Sequence, residues 1–131
     1  MTQRFINCDT LIASVFSDGT ELFRKPAEPE PGDCVSVRLR VQAGTGVEAM
    51  LLRGFPAEHV RMSKCCSDDM FDWYEAKIYC REKPIFYSFL IKWQGRLIHY
   101  NRLGAHWVNS TPSPDPNGAF QVIPGFHVPE W

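Results

Sequence analysis

The sequence lacks the local signatures by which most catalytic sites are recognised. It contains no glycine-rich phosphate loop, no HExxH zinc motif and no GxSxG nucleophile motif. Its four histidines are scattered along the chain, and we interpret each as a structural or surface residue. A cysteine–histidine couple that meets only in space stays open as an alternative, although no local pattern supports it. We therefore expect no catalytic residue, no metal and no cofactor in this chain.

The sequence also lacks an excess of one charge and any long apolar run. Fourteen basic and fifteen acidic residues give a net charge of −1, and no basic stripe is visible. Nucleic acid is therefore not an expected partner. No apolar run reaches the roughly 18 residues that span a bilayer, so no membrane partner is expected either. The first nine residues lack the apolar segment of a signal peptide, which predicts a cytoplasmic location.

The cysteines form neither a disulfide pattern nor a zinc pattern. There are five of them, no CxxC spacing occurs, and Cys65 and Cys66 are adjacent. Adjacent cysteines in one strand cannot form an ordinary bridge. We predict five reduced thiols that mostly serve packing, of which Cys80 lies on the buried side of its strand.

No segment keeps a helical period, whereas short strand patterns recur between glycine and proline turns. Residues 35–41 alternate apolar and polar side chains and form the cleanest half-buried strand pattern. Gln94 and Gly95 are typical of a hairpin turn. These patterns predict an all-β, antiparallel β-sandwich of about seven to nine strands in one domain over residues 1–131. Long loops are expected at 21–33 and 109–118, and strands at 35–41, 47–52, 59–64, 73–80, 87–93, 96–101 and 120–123, with short apolar runs at 4–8 and 11–16.

An acidic turn at residues 68–72 leads into a strand whose outward face carries aromatic rings. Trp73, Glu75, Lys77 and Tyr79 share this face, and the two charged residues predict that it is solvated. Flat rings on a solvated strand are typical of a sugar-binding or protein-binding surface. The alternative is that Trp73 only packs beneath a neighbouring loop.

The aspartates of this turn invite comparison with a calcium site. Asp68, Asp69 and Asp72 lack the twelve-residue loop with its terminal glutamate that calcium sites of this kind use. We expect them to act as turn or capping residues instead.

Four stretches together resemble a known family. The acidic turn followed by FDWYEA at residues 71–76 resembles a motif in the N-terminal domain of neopullulanase and cyclomaltodextrinase. Those enzymes belong to glycoside hydrolase family 13, and the domain is classed as carbohydrate-binding module family 34. Residues 35–40, VSVRLR, resemble the early strand of that domain, and residues 87–91, YSFLI, resemble its Tyr-x-Phe strand. Residues 126–131, FHVPEW, resemble the segment that leads into the catalytic barrel.

The resemblance implies an immunoglobulin-like sandwich that precedes a catalytic (β/α)₈ barrel. The barrel is expected after residue 131, so the chain alone should be catalytically silent. The parent enzyme should hydrolyse O-glycosyl bonds of α-glucans by a retaining mechanism with two carboxylates. Loops 21–33 and 104–118 depart from the family pattern, which puts ligand contacts there in doubt.

Two roles follow from the resemblance, and both use exposed rings. One is weak binding of α-1,4-glucan oligosaccharides by stacking. The other, which we favour as the more general, is assembly, in which the domain packs against the barrel of a homodimer partner and shapes its active site. A stand-alone immunoglobulin-like interaction module unrelated to carbohydrate is the alternative. The candidate rings are Trp73, Tyr79, Tyr100 and Trp107, whereas Trp93 is expected in the core.

Overall fold

The fold is known from a computed structural model, which describes residues 8–53, 58–112 and 118–125. In these ranges the chain forms one short helix and ten strands, so the predicted all-β sandwich is confirmed, with more strands than the expected seven to nine. The elements are α1 Cys8–Ser14, β1 Arg24–Lys25, β2 Cys34–Gln42, β3 Glu48–Arg53, β4 Glu58–Arg61, β5 Ser63–Ser67, β6 Phe71–Tyr79, β7 Ile85–Trp93, β8 Arg96–Asn101, β9 Gly104–Val108 and β10 Phe120–Val122.

Two antiparallel sheets make up the sandwich. The four-stranded sheet has the order β1-β2-β6-β5, and the larger sheet has the order β4-β3-β7-β8-β9 with β10 paired to β7. Alternation along the strands divides each sheet into an inner and an outer face. Val35, Val37, Leu39 and Val41 of β2 point inward and are completely buried. They meet the inner face of β7, where Trp93 is buried as predicted.

Arg24 ties the two sheets together at their margin. It belongs to β1 of the smaller sheet, yet its Nη1 donates hydrogen bonds to the hydroxyl oxygen of Tyr87 at 3.3 Å and to the carbonyl of Gln121 at 3.0 Å. Tyr87 is itself buried in the core. The side chain therefore crosses the layer boundary and fixes β1 against β7 and β10.

The turn between β7 and β8 has the geometry that its sequence predicts. Gln94 has φ 47° and Gly95 has φ 77°, and both lie in the left-handed region. A type I′ hairpin turn requires positive φ at both of its central residues, and its twist matches that of the flanking strands. This turn sets the register in which Trp93 pairs with Arg96.

Four local predictions are corrected by the structure. Helix α1 occupies a segment where the sequence shows no helical period, and it is held by Leu11, which is completely buried. Strand β1 lies within the segment 21–33, and strand β9 lies within the segment 104–118, both of which were predicted as loops. The strand predicted at 59–64 is two strands in different sheets, because buried Met62 lies between them where the chain crosses the sandwich.

The cysteine prediction is confirmed for Cys80, which is buried directly after β6. The five cysteines are free thiols, but Cys34, Cys65 and Cys66 are exposed, so the expectation that most of them pack in the interior is wrong. Within the described part of the chain, no helix has the length and apolarity needed to cross a membrane.

Candidate functional site

An aromatic cluster lies on the outer face of the smaller sheet, at the end where β6 begins. Phe16 pairs with Arg40 of β2 through an isolated bridge, and Arg40 pairs in turn with Trp73 of β6. Cross-strand partners lie side by side on one face. This row therefore gathers three outward side chains from distant parts of the sequence. We call the cluster the aromatic patch, and its members are Phe16, Phe23, Arg40, Phe71 and Trp73.

Ring stacking and cation–π contacts hold the aromatic patch together. The rings of Phe16 and Phe23 lie edge to face with centroids 5.1 Å apart, and Phe23 stacks on Trp73 at 5.3 Å. The guanidinium of Arg40 lies 4.9 Å from the ring centroid of Phe16 and 4.3 Å from that of Phe71. Phe23 is buried, whereas Phe71 and Trp73 keep part of their surface exposed. The patch is therefore preorganised and partly open to solvent.

Asp68 fixes the turn that leads into this patch. Its Oδ1 accepts hydrogen bonds from the backbone N–H groups of Met70 at 2.8 Å and Phe71 at 2.7 Å, and its Oδ2 accepts the indole N–H of Trp73 at 3.2 Å. The two backbone hydrogen bonds, followed by that of the indole, lower the pKa of the Asp68 carboxyl below its ordinary value. The predicted turn role of Asp68 is confirmed.

Asp72 is a buried structural carboxylate. Its Oδ1 accepts a hydrogen bond from the Ser67 hydroxyl at 2.7 Å, and its Oδ2 accepts one from the Gly44 N–H at 3.2 Å. The Nζ of Lys64 lies 3.7 Å from Oδ1. These contacts connect β6 to β5 and to the turn after β2. Among the residues that the structure describes, no group of three or more histidine, cysteine, aspartate or glutamate side chains is placed to hold a metal ion.

Tyr79 lies at the opposite end of β6 and borders an open groove. Its side chain is 70% exposed, which confirms the exposure expected for this ring. Strand β5 pairs with residues 72–75 of β6 and no further, so a gap is left between the end of β6 and the edge strand β4. We call this gap the side groove, and it has a volume of about 930 Å³. It is lined by Arg53, Glu58, Val60, Lys77, Tyr79, Arg81, Lys83, Pro84, Ile85 and Phe86.

Tyr100 is not an exposed ring, and its assignment as a surface candidate is corrected. It is 8% exposed and packs against Phe89 and Phe120. Its hydroxyl donates a hydrogen bond to the carbonyl of Ser17 at 2.9 Å, and burial raises the pKa of this phenol. The reason is alternation, since Tyr100 shares the inner face of β8 with buried Ile98.

Trp107 and Trp73 are each half-buried and already in contact with other side chains. The guanidinium of Arg96 lies 3.9 Å from the ring centroid of Trp107, and the ring of Trp93 lies 6.4 Å away. Trp73 is held by Phe23 and Asp68, which is the packing alternative considered for it. The four candidate rings are therefore not brought together, and Tyr79 is the freest of them.

Of the five members of the aromatic patch, sequence reasoning proposed Trp73 and missed Phe16, Phe23, Arg40 and Phe71. Phe16 lies in no named strand, and its place depends on backbone hydrogen bonds with Arg40 of 3.0 and 2.9 Å. The alternation of residues 35–41 places Arg40 on the outer face of its strand, and this pattern was the signal that could have identified it. The aromatic side chains that surround it come from segments that only the folded sheet brings close.

Solved structures of similar fold are carbohydrate-active enzymes. A cyclomaltodextrinase matches with a TM-score of 0.71 at 18% identity, over 86% of this chain and 19% of its own. A maltogenic amylase from S. marinus matches with a TM-score of 0.63 at 17% identity, over 97% and 17% of the respective chains. The type III pullulan hydrolase from Thermococcus kodakarensis matches with a TM-score of 0.52 at 18% identity, over 86% and 17%. The present chain thus spans about a fifth of the length of these proteins.

A search of curated protein sequences found no match to this chain. A family model, by contrast, does match the sequence. The model for the alpha amylase N-terminal ig-like domain matches residues 30–126, which is most of the chain and includes every described strand except β1. Segment 126–131, which carries part of the resemblance, lies outside the described residues. The sandwich, its strand patterns and this match together show that the chain belongs to the family of alpha amylase N-terminal ig-like domains.

Proposed function

We propose that this chain is the non-catalytic N-terminal domain of an α-glucan-hydrolysing enzyme of the neopullulanase, cyclomaltodextrinase or maltogenic amylase type. Its family membership supports this proposal, as do the names of the solved structures that share its fold. The observation that carries the proposed role is the aromatic patch, a preorganised and partly exposed cluster on the outer face of the smaller sheet. In this account the missing catalytic groups belong to a barrel that the domain serves.

Assembly is the role that the aromatic patch supports best. Aromatic residues and arginine are enriched at the energetic centres of protein interfaces. Arg40 is held between Phe16 and Phe71, so it would lose little conformational freedom on binding. We infer that the patch packs against the catalytic barrel, its own or that of a homodimer partner, and helps to shape the active-site cleft.

Weak contact with α-glucan is the second role, and Tyr79 supports it. Its ring is 70% exposed and projects from the outer face of β6, where a glucose ring could stack on it. One exposed platform adds only about 0.5–1.5 kcal/mol beyond the area that it covers. The expected affinity of the chain for maltooligosaccharides is therefore weak.

Sedimentation velocity of the complete gene product tests the assembly role. The variants Phe16→Ser and Phe71→Ser each remove one ring that contacts Arg40. We expect them to weaken dimerisation by roughly tenfold, as loss of an interface anchor does. Leu103→Ser is the matched control, because Leu103 is 67% exposed and lies in the turn between β8 and β9. Equal dimerisation constants for all variants would rule out the aromatic patch as the surface that contacts the barrel of a dimer partner.

A further inference from the structure

The edge of β6 is open along its last residues. Strand β5 pairs with residues 72–75 of β6, and within the described ranges no strand lies beside residues 76–79 on that side. Strand β2 occupies the opposite side along the whole of β6. An unpaired strand edge offers a row of backbone donors and acceptors to a further strand.

The register shows which backbone groups face this opening. Arg38 and Arg40 of β2 donate their N–H groups away from β6, to the carbonyls of Phe23 and Phe16. In antiparallel pairs, opposite residues alternate between exchanging both hydrogen bonds and exchanging none. The partners of these two arginines are Glu75 and Trp73, so every second residue of β6 from Trp73 onward points its backbone groups away from β2. The N–H and C=O groups of Lys77 and Tyr79 therefore face the side groove.

The side groove carries an excess of positive charge. Lys77, Arg81 and Lys83 line it and are exposed, and none of them has a carboxylate within ion-pair distance in the described part of the chain. The lining carboxylate of Glu58 already pairs with Arg53, whose Nη2 lies 2.8 Å from its oxygen. An occupant with negative charge would be attracted to these three cations.

The wall of the groove beneath these charges is apolar. Val60 of β4 and Ile85 and Phe86 of β7 belong to the larger sheet and line this wall together with Pro84. An extended segment points its successive side chains to opposite sides. It could therefore direct acidic side chains toward the cations and apolar side chains toward this wall, while its backbone pairs with the open edge.

We propose that the side groove binds an extended acidic segment of a separate protein, which adds as a short strand beside Lys77 and Tyr79. This mode gains affinity from main-chain hydrogen bonds and specificity from alternate side chains. A neutral glucan would leave the three cations unpaired and has no backbone to use the open edge. The ring of Tyr79 projects from the outer face while its backbone faces the groove, so stacking of a sugar and addition of a strand are separable.

Fluorescence anisotropy with a defined peptide tests this proposal on the chain itself. The probe is a short acetylated peptide that alternates glutamate and valine, and a peptide that alternates lysine and valine is its charge-reversed control. We expect saturable binding of the acidic peptide alone, with an affinity that falls as salt is raised. Hydrogen exchange at the amides of Lys77 and Tyr79 should slow when the peptide is bound.

Two comparisons separate strand addition from simple attraction of charges. A peptide methylated at every amide nitrogen keeps its charge but can donate no backbone hydrogen bond along either edge, and we expect it not to bind. The triple variant Lys77→Gln, Arg81→Gln, Lys83→Gln should weaken binding roughly tenfold. The matched control neutralises three exposed cations outside the groove, Lys25→Gln, Lys92→Gln and Arg102→Gln, and should bind as the wild type does.

Three results would overturn the proposal. They are no binding of the acidic peptide at low salt, equal binding of the methylated peptide, and displacement of the peptide by maltoheptaose, which would assign the groove to sugar. The assembly role is measured at the aromatic patch, at the other end of β6, so either account can fail without the other.

Discussion

The indole ring of Trp73 stacks on the phenyl ring of Phe23, with centroids 5.3 Å apart and planes inclined by 27°. Because the indole N–H is also held by the carboxylate of Asp68, Trp73 is fixed on two sides. The ring of Trp73 therefore contributes mainly to the stability of the fold and less to binding. Tyr79, on the same face of the same strand, has no such packing and is 70% exposed.

Replacing Trp73 should therefore reduce stability more than replacing Tyr79. Trp73→Ala removes the stacking contact and one hydrogen bond of Asp68, and we expect it to lower the free energy of unfolding by about 2 kcal/mol. Tyr79→Ala should change it by less than about 0.5 kcal/mol, as exposed substitutions usually do. Urea denaturation followed by circular dichroism measures both. A larger loss in Tyr79→Ala than in Trp73→Ala would contradict this assignment.

Loss of the buried carboxylate of Asp72 should be costly. Asp72→Ala removes the buried acceptor of the Gly44 N–H and the Ser67 hydroxyl, and each lost hydrogen bond should cost about 0.5–1.5 kcal/mol, because both donors belong to exposed residues that water can reach. Asp72→Asn keeps the shape and one acceptor oxygen, so it should lose less. The two variants are compared by thermal or urea unfolding. An Asn variant less stable than the Ala variant would show that the hydrogen bonds do not determine the cost.

Alkaline pH should unfold the chain through its buried phenols. Burial raises the pKa values of Tyr74, Tyr87 and Tyr100 in the folded state, although Arg24 opposes the rise at Tyr87. The stability that comes from keeping these phenols neutral is complete below the ordinary phenol pKa of about 10 and is lost as pH rises above it. Urea unfolding between pH 8 and about 12 measures this loss. In Tyr100→Phe the loss should be smaller, and an unchanged slope would contradict burial of this phenol as a cause.

The type I′ turn offers a stabilising substitution. Gln94 adopts φ 47°, a conformation that asparagine and glycine tolerate better than glutamine does. Gln94→Asn should therefore raise the free energy of unfolding by a few tenths of a kcal/mol, whereas Gly95→Ala, at φ 77°, should lower it by about 1 kcal/mol. Thermal unfolding of both variants checks the two signs. Stabilisation by Gly95→Ala would rule out this turn geometry.

The parts of the fold that the sequence predicted correctly are those in which alternation and burial agree. Strand β2 alternates cleanly, and β7 alternates except at Leu90, which is buried as well; both strands pack an apolar side into one core, so pattern and structure largely coincide. Helix α1 has only seven residues and one buried side chain, Leu11, which is too little for a helical period to appear. Strand β1 has two residues and exists through its pairing with β2, which no local pattern encodes.

The candidate rings differ in the same way, according to whether their burial follows from the local pattern or from contacts with distant segments. Tyr79 was placed correctly because its exposure follows from alternation within β6 alone. Trp73 was ambiguous because the ring that covers it, Phe23, belongs to a distant turn. Tyr100 was misplaced, although its position two residues after apolar Ile98 indicated the inner face of β8. The open edge of β6 depends on where β5 stops, which the sequence of β6 does not contain.

The most direct test of the claim that this domain contacts α-glucan through Tyr79 is an amide chemical-shift titration of the chain with maltoheptaose. The account predicts weak, saturable shifts around Tyr79, with a dissociation constant in the millimolar range, that disappear in Tyr79→Ala. The indole resonances of Trp73 and Trp107 should not move, because packing already holds their rings. Shifts confined to the two indoles, or no shift at saturating sugar, would contradict it.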